Sequence, residues 1–210
     1  MRLDAADLVP LPPARAPGGA EAVWTWGALD LLARRPRLAL VSSRRVPPEL
    51  AHRIRAFLRA WVPGPEVWWL GAHTALEREA LVLLLDSGAA AVAWLARGLA
   101  GLALPPAAVT AAASGRLLVL SAVRPTRRRS DAAAARRRTA ALLGAADRVV
   151  VPYAEPGGIL AQLLARELPR GRPVHTLEHD ATAPLRWLGA HPLPADADAA
   201  RAQLLAPTSP

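Results

Sequence analysis

The segment LALVSSRRVPPEL, Leu38–Leu50, contains the change of pattern that decides the fold. Its first residues form an apolar run without polar alternation, which is typical of a parallel strand covered on both faces. Two serines and two arginines follow, and consecutive prolines then precede a stretch with the length of a helix. A buried strand that passes through a short polar loop into a helix is the first half of a βαβ unit.

The same alternation recurs along the chain and predicts the fold class. Between the apolar runs lie stretches long enough for helices, of which the alanine-rich Leu104–Ala113 is the weakest. We therefore predict a Rossmann-like, doubly wound α/β fold with a mainly parallel six-stranded sheet and helices on both faces. The predicted strands are Leu38–Ser42, Val67–Gly71, Ala91–Leu95, Leu117–Ser121, Arg148–Pro152 and Pro173–Leu177, and the other predicted helices are Pro48–Trp61, Ala75–Leu85, Ser130–Leu143 and Ile159–Leu168.

The flanks of this pattern set the predicted domain boundaries. Residues 1–20 carry several prolines and a Gly-Gly pair, so they are expected to form a flexible arm. The core domain is expected over residues 21–190, with a lead-in helix over Ala20–Arg35. Residues 191–210 are predicted to be a tail that forms a short helix and then frays.

Composition limits the classes of function. The 210 residues are 52% hydrophobic, enough for one core, and contain neither a long uncharged apolar run nor a signal peptide. We therefore expect a cytoplasmic protein without a membrane partner. The absence of cysteine excludes disulfide and thiolate chemistry. Neither a metal nor a cofactor is predicted, because the pair His73 and Glu77 is better explained as a turn histidine and a helix-capping glutamate.

The charge balance favours a polyanionic partner. Arginine supplies all 26 positive side chains, against 17 acidic ones, which gives a net charge of +9. An alanine-, arginine- and proline-rich composition is also typical of a GC-rich coding sequence. The positions of the arginines must therefore decide whether the charge has a function.

The loops that follow the predicted strands concentrate glycine, hydroxyl and arginine side chains. In an open parallel sheet these loops meet at the carboxyl edge, where ligands bind. Glycine admits a phosphate close to the backbone, helix N-termini attract anions, and arginine is a bidentate phosphate donor. The candidate residues for binding a nucleotide or DNA are Ser42, Ser43, Arg44, Gly71, His73, Arg97, Arg128, Arg137, Arg138, Tyr153, Gly157 and Gly158.

Two arginine runs flank a predicted helix start at Ser130–Asp131. Arg127–Arg129 and Arg136–Arg138 would both lie near the positive end of that helix dipole, a placement that favours a bound anion. A solvated charged face is the alternative. Tyr153 is a candidate for base stacking, whereas most tryptophans are expected to belong to the core.

Several motifs, in this order, resemble one known family. They are SSR after the first strand, then LGAHTALEREAL, LARG, GRLLVLS, ARRRTAALLGAADRVVV, PGG and RPVHTL. Over about residues 25–177 they resemble the Rossmann-like domain of the DNA processing protein A family, also called Smf or DNA recombination mediators, and especially its short single-domain relatives. The resemblance matches Ser43–Arg44 to the family's glycine-serine-arginine loop and Arg138 to the first arginine of its arginine-asparagine-arginine motif. Gly71 and His73 match a second glycine-rich turn, and Gly157–Gly158 a small-residue turn.

The resemblance implies binding of single-stranded DNA, with a role in recombination or DNA uptake, and the family helps to load a recombinase. This chain departs from the family pattern at Ser42, which replaces a glycine, and at Thr139–Ala140, which replace the asparagine-arginine pair. No segment matches the extra helical and winged-helix domains of many mediators, so a recombinase partner does not follow from the resemblance. A homodimer is compatible with it.

The sequence thus predicts a binding module, without bond-making chemistry, for single-stranded nucleic acid or a nucleotide phosphate. One alternative is a nucleotide-ligand sensor, since the wider superfamily contains such proteins. The other is a nucleoside-monophosphate phosphoribohydrolase of the Lonely Guy type, which shares the Pro156–Gly158 turn. For that enzyme, however, ILAQLL replaces the required glycine-threonine and catalytic glutamate, and Glu167 comes too late in the helix.

Overall fold

A nine-stranded mixed sheet forms the centre of the computed structural model, which describes residues 1–19 and 22–206. The strands lie in the order β1-β2-β6-β5-β4-β3-β7-β8-β9, and β2 runs antiparallel to both of its neighbours. From β6 to β9 all neighbouring strands are parallel. The strands are β1 Val9–Leu11, β2 Val23–Gly27, β3 Arg37–Leu40, β4 Val67–Leu70, β5 Ala90–Leu95, β6 Leu117–Ser121, β7 Arg148–Val150, β8 Val174–Leu177 and β9 His191–Leu193.

Strand order reverses between β3 and β7. From β3 the chain adds β4, β5 and β6 on one side, and it then crosses back to add β7 and β8 on the other. The loops after β3 and β7 therefore diverge to opposite faces and leave a crevice between them. This is the position at which doubly wound sheets bind ligands.

Helices cover both faces of the sheet and define two core layers. On one face pack α1 Pro48–Arg59, α2 Ala75–Asp86, α3 Pro106–Ala113 and α7 Ala197–Leu205. On the other pack α4 Ala132–Ala145, α5 Ile159–Glu167 and α6 Ala183–Trp187. Trp68 and Trp69, adjacent in β4, are fully buried in opposite layers, because successive side chains of a strand point to opposite faces.

All six predicted strands are present, but the prediction of a six-stranded sheet was wrong. Three further strands, β1, β2 and β9, extend the sheet at its two ends and make it mixed. Two of the three have only three residues and contain a proline. Strands of this kind lack the long apolar run by which the central strands were recognised.

The prediction of a lead-in helix over Ala20–Arg35 was also wrong. Residues 23–27 form strand β2, followed by a short 3-10 turn at Leu29–Leu32. Val23 and Thr25 are buried while Trp24 and Trp26 are half-buried, an alternation with the period of a strand. Ala20 and Glu21 lie outside the described residues.

Both flanks of the core contribute to the packing. Within residues 1–19, which were expected to form a flexible arm, Leu3, Leu8 and Leu11 are buried and β1 pairs with β2. In the predicted tail, β9 pairs with β8, and the expected helix is α7, with Ala200 and Leu204 buried. Residues 207–210, where fraying was expected, lie outside the described part. No helix within the described ranges is long and apolar enough to cross a bilayer.

Candidate functional site

The loops after β3 and β7 are joined directly at the point where strand order reverses. The Ser43 amide donates to the Tyr153 carbonyl at 3.0 Å, and the Ser43 hydroxyl accepts from the Glu155 amide at 2.9 Å. The Ser42 hydroxyl approaches the same Tyr153 carbonyl at 3.5 Å. These contacts fix Ser43 beside the N-terminus of α5, and they hold the next residue, Arg44, at the surface of the crevice.

Glu77 joins the loop after β3 to the loop after β4. Its Oε1 accepts from the Ser42 amide at 3.1 Å, and its Oε2 accepts from the amides of His73 at 2.9 Å and Thr74 at 3.3 Å. The Glu77 amide donates in return to the Thr74 hydroxyl, which completes a capping box at the start of α2. The capping role predicted from the sequence is confirmed, and the additional bond to Ser42 makes Glu77 the link between the two loops.

Arg138 is a buried cation beneath the loop after β4. Its side chain is 5% exposed, and its Nη1 lies 3.8 Å from Glu77 Oε2. A Cβ at Gly71 would overlap Nη1, so only glycine allows the guanidinium to lie there. Nε and Nη1 are buried without a hydrogen-bond partner in the described structure. Burial lowers the pKa of Arg138, and Glu77 opposes that shift.

His73 lies between Arg44 and Arg138, which disfavour its protonation. Burial, followed by the charges of Arg138 and Arg44, lowers the pKa of His73 below its ordinary value. Its Nε2 lies 3.1 Å from an Arg44 terminal nitrogen. Because arginine only donates, the neutral imidazole accepts this bond at Nε2. The three side chains thus form one cationic group at the edge of β3 and β4.

The turn before α5 leaves its helix start open. Gly157 has a φ of +73°, which glycine adopts without strain, and Gly158 is the N-cap residue with no side chain to cap the helix. A Cβ at Gly158 would lie 2.9 Å from the Glu155 carbonyl, so the turn is also tight. Tyr153 is half-buried and packs against the core, which limits the surface that it offers for stacking.

The loops after β5 and β6 form a second group farther along the same edge. The Gly98 amide donates to the Arg127 carbonyl at 2.7 Å, and a Cβ at Gly98 would overlap the backbone of Arg124–Pro125. Arg128 lies over Gly101 in this group, and Arg97 lines the cleft between α2 and α3. Since adjacent strands are about 4.8 Å apart, β6 lies roughly 14 Å from β3 along the edge.

The structure separates the members of the arginine runs. Asp131 is the N-cap of α4, and it accepts from the Ala134 amide and pairs with Arg127. The bond from Ala134, together with Arg127, keeps the pKa of Asp131 below its usual value. Arg137 is exposed, whereas the adjacent Arg138 is buried. The runs do lie around one helix start, as predicted, but they do not act as one charged face.

Arginines at the two edges of the sheet differ in what they contact. Exposed Arg59 and Arg166, in the last turns of α1 and α5, have no carbonyl or carboxylate partner among the described residues. Most other arginine side chains at the amino edge are engaged with such oxygens. These are Arg34, Arg35, Arg37, Arg116, Arg148 and Arg172. At the carboxyl edge, five arginines are exposed and neither form an ion pair nor donate a side-chain hydrogen bond to a described residue. They are Arg45, Arg124, Arg128, Arg129 and Arg137.

Sequence reasoning missed two features of this edge. It did not foresee the buried pair of Arg138 and Glu77, it left Arg45 and Arg124 out of the candidate residues, and it considered Arg129 only as part of the run Arg127–Arg129. Gly71 at the end of β4 was the available signal for a close approach, but the sequence did not show which side chain approaches it.

Within residues 1–19 and 22–206, no cluster of three or more histidine, aspartate or glutamate side chains could hold a metal ion.

Comparison with solved structures shows what this arrangement resembles. The DNA processing protein A of Streptococcus pneumoniae superimposes with a TM-score of 0.69 at 20% identity, over 97% of this chain and 74% of that one. The Helicobacter pylori protein superimposes with a TM-score of 0.67 at 16% identity, over 91% and 88% of the two chains. The fold is that of DNA processing protein A.

A second group of structures has a more distant likeness. The molybdenum cofactor carrier protein of Chlamydomonas reinhardtii superimposes with a TM-score of 0.56 at 17% identity, over 83% of this chain and all of that one. No family model and no curated protein sequence matches the chain. The likeness to DNA processing protein A therefore lies in the fold.

Proposed function

We propose that the chain binds single-stranded nucleic acid across the carboxyl edge of its sheet, through phosphate contacts and without bond-making chemistry. The observation that carries the proposal is the difference between the two edges. Most arginines at the amino edge stabilise the fold through carbonyl and carboxylate oxygens, whereas the five exposed arginines named above at the carboxyl edge have no such partner among the described residues. Exposed arginines grouped along one edge form a site for a polyanion.

The length of this edge suits a single strand of nucleic acid better than one phosphate group. From β6 to β7 the sheet spans four strand intervals, or about 19 Å. Arg44 lies near one end of this span, and Arg124, Arg128 and Arg129 follow β6 at the other. Several phosphates of one backbone can contact an edge of that length. The Helicobacter pylori protein with the same fold binds single-stranded DNA, which supports the same ligand here.

The polar groups of the crevice are engaged in ways that favour binding over catalysis. The Ser43 hydroxyl accepts from the Glu155 amide, and His73 accepts from Arg44, so these two do not form a nucleophile and base pair. Glu77 is surrounded by three backbone donors. Glu167, the remaining candidate for a phosphoribohydrolase, lies at the far end of α5, roughly 13 Å along the axis from Gly158. It is paired there with Arg170.

The test is fluorescence anisotropy of a labelled single-stranded oligonucleotide at about 50 and 200 mM salt. Affinity should fall at least tenfold between these conditions, since neutralising several phosphates releases counterions. Arg44→Gln should weaken binding, whereas Arg59→Gln, an exposed arginine at the far end of α1, should not. Binding that is independent of salt, or equal losses in the two variants, would contradict the proposal.

A nucleotide-containing small ligand is the second candidate. A cavity of about 680 Å³ lies against α4 beside Trp94, Leu95, Arg137 and Arg138, and the molybdenum cofactor carriers share the fold. That volume is within the range of small-molecule sites. A rise in melting temperature with a free nucleotide, in a chain that fails to bind oligonucleotides, would favour this candidate. A homodimer and a recombinase partner remain proposals, to be tested by sedimentation and pull-down.

A further inference from the structure

A second concave site lies between α2 and α3, and it borders the loops after β4 and β5 through His73 and Arg97. Its volume is about 440 Å³, and Leu81 and Leu85 of α2, Ala107 and Ala108 of α3 and Val119 of β6 are among its walls. The composition of α3 explains the space. The helix reads PAAVTAAA, and its alanine side chains are too short to fill the space between α3 and the leucines of α2 on the same face of the sheet. A gap that larger residues would fill therefore remains open.

The cleft presents apolar surface to solvent. Val82 at its rim is 48% exposed, although Leu85, almost one turn further along α2, is buried. Concave apolar surface of this size is poorly hydrated, and it is typical of small-molecule sites, which combine an apolar lining with a few polar groups. The shape and lining thus point to a ligand with an apolar body.

Charges at the two ends of the cleft differ in sign. Arg78 and Arg97 lie at the end nearest the carboxyl edge, and Asp86 lies at the other end, roughly 12 Å away along α2. Each arginine donates one bond to a backbone carbonyl, of His73 and Gly98 respectively, and neither is in an ion pair within the described residues. Their remaining donors suit one anionic headgroup. Asp86 repels a second anionic group at the other end of the cleft.

We propose that this cleft is a binding site for a small amphipathic acid, with its apolar body between α2 and α3 and its anionic head at Arg78 and Arg97. The volume of about 440 Å³ and the single cationic end match a small molecule that carries one anion. The proposal does not rest on the proposed nucleic-acid function, although Arg97 is a candidate residue for both. Its test contains no nucleic acid, so either proposal can fail alone.

The probe is anilinonaphthalene sulfonate, which joins an apolar aromatic body to one anion and fluoresces when it leaves water. We expect one probe molecule per chain. Ala107→Leu, a substitution of an exposed residue that lines the cleft, should weaken binding about tenfold or more by filling the site. The matched control is Ala113→Leu, on an exposed position of the same helix outside the cleft, which should bind as the original chain does.

The headgroup is tested by charge substitution and by competition. Arg78→Gln and Arg97→Gln should each lower the affinity for the probe roughly three- to tenfold, while Arg59→Gln should leave it unchanged. Octanoate should displace the probe at concentrations where the neutral octanol does not. Several probe molecules per chain, equal effects of the two alanine variants, or displacement by octanol as readily as by octanoate would each overturn the proposal.

A second copy of the chain is the remaining occupant to test. The probe titration is repeated at increasing chain concentration with sedimentation on the same samples. A constant stoichiometry for the monomer supports the small-molecule site. Loss of probe binding as dimers form would assign the cleft to a subunit interface and overturn the proposal.

Discussion

At the scale of single residues, Gly71 controls the position of Arg138. A Cβ at this position would overlap the Arg138 guanidinium, so Gly71→Ala must displace a buried cation from its place beside Glu77. We expect a loss of roughly 2–4 kcal/mol in the free energy of unfolding, since a buried charge would lose its partner. Urea denaturation followed by circular dichroism measures this loss.

Gly144→Ala is the matched control for that experiment. Gly144 lies within α4, and no atom is within 4 Å of a Cβ built there. Alanine should therefore stabilise the chain by about 0.5–1 kcal/mol through helix propensity. If both glycine variants changed stability equally, the close approach of Arg138 to Gly71 would not be what selects glycine at position 71.

The buried pair of Arg138 and Glu77 can be tested by a double-mutant cycle. Arg138→Met leaves Glu77 buried without its cation, and Glu77→Gln leaves Arg138 without its anion. Each single variant should lose roughly 3 kcal/mol or more, and the double variant should lose less than the sum of the two. Additive losses in urea denaturation would show that the two side chains, 3.8 Å apart, do not interact energetically.

At the scale of secondary structure elements, His175 reports on the packing of β8 against β9 and α7. Burial lowers the pKa of His175 to about 4, with smaller contributions from His191 and Arg148. Its Nδ1 lies 3.2 Å from the Gln203 amide nitrogen of α7. Between pH 4 and 6.5 the unfolded chain therefore binds a proton that the folded chain does not, so stability falls as pH falls through this window.

The expected loss between pH 7 and pH 5 is about 2 kcal/mol from this residue. Urea denaturation at both values measures it, and His175→Leu should remove this contribution, whereas His73, whose pKa is also lowered, still contributes in the same direction. His52→Leu, at an exposed position of α1, is the control and should retain it. A pH dependence unchanged by His175→Leu would assign the effect to other groups.

The elements also show how far the sequence could predict this fold. The strands β3 to β8 were predictable because helices cover both of their faces, so most of their residues are apolar. Strand β2 was mistaken for a helix because Val23, Trp26 and Leu29 are spaced almost as on a helix face, while its half-buried tryptophans hide the alternation. The pairing of β2 with β6 decides between a helix and a strand here, and it is a tertiary contact.

For the candidate site, the meeting of the loops was predictable from the sequence. Parallel topology alone brings the loops after β3, β4 and β7 together, and hydrogen bonds between Ser43 and the loop after β7 confirm this arrangement. The roles of individual arginines were not predictable. Adjacent residues of α4 face solvent and core, as Arg137 and Arg138 do, and which faces inward depends on how the helix packs.

At the scale of the whole molecule, substitutions can separate the effect of the net charge on binding from the effect of where the charges lie. The net charge of +9 would attract a polyanion to any face, but the proposed site requires the charges at the carboxyl edge. Arg124→Gln with Arg129→Gln removes two charges from that edge. Arg59→Gln with Arg166→Gln removes two exposed charges from the ends of α1 and α5, so both double variants carry +7.

If phosphates contact the carboxyl edge, only the first double variant should change how oligonucleotide affinity depends on salt. Each lost phosphate contact lowers the slope of log affinity against log salt by about 0.7 for a single strand, so the slope should fall by roughly 1.4. The second double variant should retain the slope of the original chain. Anisotropy titrations at four salt concentrations measure the slopes. Equal slopes for the two variants would show that binding follows total charge, and the proposed site at the carboxyl edge would then be wrong.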